Sequence, residues 1–329
     1  MSRRLLSIIL LLLSLFLVVF ASLLAFTAQG SQLLVTTGLL APTPTPSPTP
    51  IPSTPTPIPT PSPVLTPRDP LPALSARAAY LVDMDTGNVL LDRNGEQTLP
   101  MASTTKIMTA LIALQTADLD QEITVKQDAI DRVGTIGSNA GLVVGEKIRL
   151  RDLLYGLMVP SGDDAAVAIA DALAGSQENF VARMNLFAYR LRLFHTHYAN
   201  VDGLTPDYQS NPQHYTTAAD LTRLAAYAMQ NPLFARIVQT KVYTLPQTAQ
   251  HGAHTWYTTN DLLSSYNGLT GIKTGHTWEA GYCLVFSAER NGHHLIGALL
   301  NSPSVAGRNK DTTALLDWAF ALPTLPPYA

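Results

Sequence analysis

The 329-residue chain is poor in cysteine, in net charge and in clustered basic residues. Its one cysteine, Cys283, rules out an intramolecular disulfide, so cysteine usage does not mark a redox compartment. A formal net charge of −3 without a basic stripe gives no ground to expect nucleic acid as a partner. Histidine pairs occur at His251/His254, His195/His197 and His293/His294, but no carboxylate or cysteine pattern in the sequence completes a site around them. They read as solvated loop or strand histidines, and neither a metal nor any other cofactor is expected. Positive charge is missing from one long stretch as well: after Arg3 and Arg4, no lysine or arginine appears until Arg68.

That gap frames the N-terminus. Residues 5–26 are charge-free and almost wholly apolar, and as a helix they span about 33 Å, enough for a bilayer core. The run is longer than the ~7–15 apolar residues of a cleavable signal peptide. The small-x-small sequence Ala28-Gln29-Gly30 keeps cleavage open. The charge bias puts Arg3 and Arg4 in the cytoplasm and the rest outside. The expectation is a single-pass membrane protein with an extracytoplasmic domain, or a secreted one if the segment is cleaved. Residues 1–28 then form the stub and anchor. Residues 29–72 form a linker dominated from Pro42 by Pro/Thr/Ser repeats, which holds more than half of the 24 prolines. Proline fixes φ and removes donors, so a disordered or polyproline II tether is expected there, reaching on the order of 95 Å when fully extended.

Residues 73–325 have the composition of one large domain, followed by a tail at 326–329. Ala78–Val82 and Asn88–Leu91 read as strands around the turn Asp85-Thr-Gly87. Apolar spacing predicts a helix from Thr104 to about Gln115, with further helices at 153–158, 165–174, 178–193, 218–229 and 312–320. Segments 281–289 and 294–300 flank Arg290-Asn291-Gly292, a hairpin signal. Strands at both ends with helices between predict an α+β fold. Its antiparallel sheet comes from the N- and C-terminal segments, with helices flanking it and a helical subdomain inserted.

Three motifs in order carry the chemistry: Ser103-Thr-Thr-Lys106, Ser161-Gly162-Asp163 and Lys273-Thr274-Gly275. That order is the layout of serine acyl-transfer enzymes. Ser103 falls at the start of a predicted helix, where free N–H groups favour a developing oxyanion. Lys106 lies one turn on, within reach of the Ser103 hydroxyl. To act as a base it must be desolvated or sit near a second cation, a part Lys273 can take. Gly275 leaves room for a ligand backbone beside a strand edge. Thr274 and Thr277 offer hydroxyls to a carboxylate. Cys283 reads as a core or lining residue, His214 as support for the helix after it, and Glu146 as a structural loop residue.

The runs Ala102-Ser-Thr-Thr-Lys-Ile-Met-Thr-Ala110, Leu153-Leu-Tyr-Gly-Leu-Met-Val-Pro-Ser161, Asn200-Val-Asp-Gly-Leu204, His214-Tyr-Thr-Thr-Ala218 and Gly271-Ile-Lys-Thr-Gly-His-Thr277 resemble the D-alanyl-D-alanine carboxypeptidases, the low-molecular-mass penicillin-binding proteins. The resemblance covers roughly residues 76–321 and implies a β-lactamase/DD-peptidase-like fold. It implies Ser103 as acylated nucleophile, Lys106 as its general base and Ser161 as proton relay to the leaving amine. Lys273, Thr274 and Gly275 are then the substrate-binding strand, and the backbone N–H groups of Ser103 and His276 the oxyanion hole. Arg308, on a shorter match, becomes a carboxylate-site arginine. The implied partners are the peptidoglycan pentapeptide ending in D-Ala-D-Ala, β-lactams as covalent inhibitors, and the membrane through the N-terminal helix.

Two departures qualify this. The second motif of such proteins reads Ser-x-Asn, and here the third residue is Asp163, an acceptor only when ionised. A carboxylate beside Lys106 favours its ammonium form and opposes its use as a base, so a non-catalytic wall-binding or β-lactam-sensing homologue stays open as an alternative. Asp164 reads as structural. Many relatives also carry a β-rich second domain and a C-terminal amphipathic anchor, whereas this sequence ends at Ala329, and the N-terminal helix is expected to anchor instead. A β-lactamase is the weaker alternative, because no deacylating Glu-x-x-Leu-Asn pattern is present.

Overall fold

A computed structural model describes residues 13–17, 19, 64–134, 137–204 and 213–325. The chain divides into two compact units, residues 1–60 and 61–329. In the first, residues 13–17 and 19 are helical and exposed. No helix among the described residues is long and apolar enough to cross a membrane. The rest of the expected anchor, the repeat core of the linker and the tail at 326–329 lie outside the described residues.

The second unit opens with β1 (Val64–Leu65), β2 (Ala78–Asp83) and β3 (Val89–Arg93). A 3₁₀ turn (Ala102–Thr105) runs into α1 (Lys106–Thr116). Then come β4 (Glu122–Thr124), α2 (Gln127–Val133), β5 (Lys147–Arg149), α3 (Leu150–Met158), α4 (Asp163–Ala174) and α5 (Gln177–Arg190). After α6 (Ala218–Ala228) and α7 (Pro232–Gln239) come β6 (Val242–Leu245), β7 (His254–Tyr257) and the short α8 (Leu262–Ser265). The long strands β8 (Leu269–Thr277), β9 (Gly281–Arg290) and β10 (His293–Ser302) precede α9 (Val305–Phe320) and β11 (Thr324–Leu325).

Five strands form one antiparallel sheet in the order β3-β2-β10-β9-β8, as expected of an α+β fold built from both chain ends. Successive residues of a strand point to opposite faces, and the core divides accordingly. Leu295 and Leu299 pack with Leu315, Leu316 and Ala319 of α9. Ile296, Ala298 and Leu300 pack with the helical body around α1, α3 and α4. Each layer buries a separate apolar cluster, so the sheet has helices on both faces.

Local chemistry fixes the helix starts. Ser176, Thr217, Asn231 and Ser304 each cap a helix by accepting a backbone N–H. The last of these sets α9 starting at Val305, seven residues earlier than the apolar spacing indicates. The linker boundary also moves: Val64 and Leu65 pair with Leu325 and Thr324, and Leu65 is buried, so the globular unit starts before residue 73. The pairing partner lies some 260 residues away, which local composition does not reveal.

Candidate active site

Ser103 sits in the 3₁₀ turn, not in the first α-helical turn, and Lys106 opens α1 behind it. Ala102 has φ 48°, a left-handed conformation that a residue with a side chain seldom adopts. The turn is held there from below. Thr104 and Thr105 donate their hydroxyls to the carbonyls of Met101 and Ala102, each at 2.7 Å. His214 bonds Thr105 Oγ1 through Nε2 at 2.7 Å, while its Nδ1 accepts the N–H of Ala199 at 3.0 Å. His214 therefore supports the turn carrying Ser103. Thr217, and not His214, caps the helix that follows.

Lys106 is fully buried, and its Nζ donates to three acceptors: Ser103 Oγ at 2.9 Å, Asp163 Oδ1 at 2.5 Å and the Asp202 carbonyl at 2.9 Å. Asp163 is the first residue of α4, where the helix dipole favours an anion. Its other oxygen accepts the N–H of Ser138 at 2.9 Å. Burial pushes the Asp163 carboxyl above its usual range, against the downward pull of Lys106. Asp202 is also buried; burial raises its carboxyl, but the Arg132 guanidinium, at 2.5 and 2.8 Å, outweighs this and holds it low. Asp164 accepts the N–H groups of Ala140, Leu142 and Ala165, a structural role as expected.

Ser161 stands at φ 70°, a second left-handed residue with a side chain. The turn around it is pinned on both sides. Gly162 donates its N–H to the Gly156 carbonyl at 3.0 Å, and Asp163 donates to Ser138 O at 2.9 Å. Such strain persists only where neighbouring contacts over-determine it.

Across from this helical wall lies β8, the edge strand of the sheet. Its alternate residues Lys273 and Gly275 pair with Val285 and Cys283. A Cβ on Gly275 would lie 3.1 Å from Ala102 Cβ and 3.2 Å from Ser103 N, so glycine lets the strand pass against the Ser103 turn. On the opposite flank a Cβ on Gly203, at φ 92°, would lie 1.9 Å from Ala102 O. Lys273 is buried under the strand and donates to the Thr274 carbonyl at 3.0 Å. Burial first, and Lys106 second, depress its amine well below the ordinary lysine range.

Ser103, Ser138, Ser161, Thr274, His276 and Arg308 line a cleft of about 300 Å³ between the two walls. The three motifs thus meet at one place, and Arg308 of α9 joins them. Thr277 does not line that cleft; its Oγ1 accepts the N–H of Ala280 in the β8–β9 turn. Cys283 is buried in the core, and burial raises its thiol to about 11. Glu146 ties Val143 N to Gly252 N and His254. Sequence reasoning does not find Ser138, since a lone serine in a loop carries no spacing signal. Asp202 has a signal, because it lies in the run Asn200-Val-Asp-Gly-Leu204.

A family model described as D-alanyl-D-alanine carboxypeptidase matches residues 65–304. A D-alanyl-D-alanine carboxypeptidase of Streptomyces sp. strain K15 is 40% identical over 264 residues, covering 76% of this chain and 89% of that one. The carboxypeptidase DacF of Bacillus subtilis is 33% identical over 252 residues, covering 76% of this chain and 63% of its own length. The crystal structure of the Streptomyces K15 DD-transpeptidase superposes with a TM-score of 0.72 at 39% identity, over 77% of this chain and all of that one.

Proposed function

The chain belongs to the D-alanyl-D-alanine carboxypeptidase family, a family of serine D-Ala-D-Ala carboxypeptidases, and we propose that it removes the terminal D-alanine of peptidoglycan stem peptides through an acyl-enzyme on Ser103. The observation that carries this reading is Lys106 Nζ, 2.9 Å from Ser103 Oγ in a buried setting. Lys106 takes the hydroxyl proton as Ser103 attacks the carbonyl of the penultimate residue. The oxyanion that forms is met by the backbone N–H groups of Ser103 and His276, a pair of donors worth several kcal/mol of barrier. Ser161, on the opposite lip of the cleft, relays the proton to the departing D-alanine nitrogen. Water then cleaves the ester, and a β-lactam would leave the ester in place. Thr274 and Arg308 receive the terminal carboxylate.

Asp163 works against the first step. A proton must leave Lys106 before it can accept that of Ser103, and the ion pair at 2.5 Å opposes the loss. The test is D-alanine release from an acyl-D-Ala-D-Ala peptide together with labelling by a fluorescent penicillin. Wild type is expected to do both and Ser103→Ala neither. If wild type does neither, the chain is a non-catalytic homologue.

A second outcome is suggested by the Streptomyces neighbour, which is named a DD-transpeptidase. The same acyl-enzyme can pass its acyl group to an amine. Adding an acceptor amine and comparing transfer product with free acid separates the two. We also propose a single-pass anchor at residues 1–28, supported by Arg3-Arg4 and the apolar run behind them, with the Pro/Thr/Ser stretch as a tether outside the membrane. Deleting residues 1–28 should move the protein from the membrane fraction to the soluble one.

A further inference from the structure

The far end of the sheet carries a cluster with no part in this chemistry. Asp83 ends β2, and its side chain is fully buried. Asp83 Oδ1 accepts the N–H of Asp85 at 3.0 Å, but Oδ2 has no hydrogen-bond partner among the described residues. His293 opens β10, and its buried Nδ1 is also without a partner. Two orphaned polar atoms at one spot are unusual, since a buried polar group without a partner costs about 1–3 kcal/mol.

The strand register explains why they meet. Asp83 pairs with Leu295, and Met84 N continues the ladder to His294 O at 2.7 Å. The chain then leaves the strand in a turn, and the Asp85 carboxylate in that turn reaches back to the start of β10 by accepting the His294 N–H at 2.9 Å, so Asp83, Asp85 and His293 lie together. One carboxylate oxygen from each aspartate and one ring nitrogen of His293 fall within 4.8 Å of one another.

We propose that Asp83, Asp85 and His293 bind a divalent first-row transition cation of the zinc or manganese type. Two carboxylates and an imidazole suit such an ion, whereas magnesium and calcium prefer oxygen alone. The ion would give Asp83 Oδ2 and the imidazole the partners they lack. Bonds of about 2.0–2.2 Å require the three atoms to draw closer, and Asp85 and His293, neither of them buried, can turn to do so. The surroundings already orient Asp85. Its Oδ2 accepts the N–H of His294 at 2.9 Å and its Oδ1 faces His294 Nδ1 at 2.8 Å, leaving each oxygen a free lone pair. His294 in turn faces Glu289 at 3.4 Å. The bound ion would clamp the β2–β3 turn to the start of β10.

The test uses the full chain after chelator treatment, titrated calorimetrically with zinc and, separately, magnesium. One equivalent of zinc is expected to bind and to raise the thermal midpoint by a few degrees. Magnesium should bind at least tenfold more weakly. His293→Ala and Asp83→Asn should each weaken zinc at least tenfold, with His293→Ala keeping its D-alanine release or penicillin labelling. His293 is only partly buried, so that variant reports even if Asp83→Asn fails to fold. No zinc uptake by wild type overturns the proposal, since an ordered water then suffices. Uptake that survives in His293→Ala overturns it too, and places the ion at another histidine such as the His251/His254 pair.

Discussion

The two walls of the cleft each bury one lysine, and they treat it in opposite ways. On the helical wall Lys106 has three acceptors, one of them a carboxylate at 2.5 Å. On the sheet wall Lys273 has a single carbonyl at 3.0 Å, and burial depresses its amine well below the ordinary range. One wall is a closed network built around an ion pair. The other is a strand edge whose buried lysine makes no ion pair among the described residues, while its neighbour Thr274 lines the cleft.

The largest expected effect comes from breaking the closed wall. Lys106→Met should lower the penicillin-labelling rate by about 10²–10⁴, the range for loss of a general base. It also leaves Asp163 buried without its counter-charge, a change that destabilises by about 3–5 kcal/mol. Adding Asp163→Asn to Lys106→Met should restore much of the denaturant midpoint and none of the labelling. Equal recovery of both would mean that Lys106 serves the fold alone.

Lys273→Met probes the sheet wall. Labelling should fall by about 10²–10³, as for loss of one electrostatic contact to the transition state. Stability should change by less than about 1.5 kcal/mol, because methionine fills similar space and no ion pair is broken. The pH dependence has a definite sign. The unfolded chain binds the proton that buried Lys273 gives up, so wild-type stability rises with pH between the depressed folded value and the ordinary 10.5. Lys273→Met lacks this rise, and its advantage over wild type in urea unfolding should shrink as pH climbs through that window.

The contrast between the walls also explains what is legible in the sequence. Ser103, Lys106, Ser161, Asp163 and the Lys273 triplet stand out because each motif is local and fits its element. Charge alone marks Asp163 as a problem for Lys106, and the two do pair. The sheet wall is harder to read. Leu269–Thr277 carries the β-branched Thr270, Ile272, Thr274 and Thr277, but its two glycines, lysine and histidine break up the apolar pattern of a buried strand. Its place at the sheet edge follows from pairing with β9, a tertiary fact. Ser138 and the Asp83/Asp85/His293 cluster are invisible for the same reason: they form across loops or strand registers. Asn231-Pro232, which starts α7, is a local signal that apolar spacing alone passes over.

Asp163→Asn is expected to act in the opposite direction from the lysine changes. The change removes the ion pair at 2.5 Å while keeping an amide of the same shape, and labelling at neutral pH should rise about tenfold. A fall instead would mean that Asp163 accepts the proton Lys106 must lose. Either result separates charge on the helical wall from geometry.

The smallest effect belongs to the support beneath Ser103. Burial lowers the His214 imidazole from 6.5 to about 4, so it is neutral at pH 7 and bridges Ala199 N to Thr105 Oγ1. Below pH 6.5 the unfolded chain takes a proton that folded His214 refuses, so stability is lost as pH falls from 6.5 toward 4. His214→Gln removes this titration but keeps an amide able to donate to Thr105. Labelling at pH 7 should drop only by about two- to tenfold, the effect of one neutral hydrogen bond worth about 0.5–1.5 kcal/mol. The urea midpoint of the variant should vary less than that of wild type between pH 7 and pH 4.5. A loss of labelling as large as that of Lys106→Met would place His214 in the chemistry itself, and the division between a charged network and its neutral support would fail.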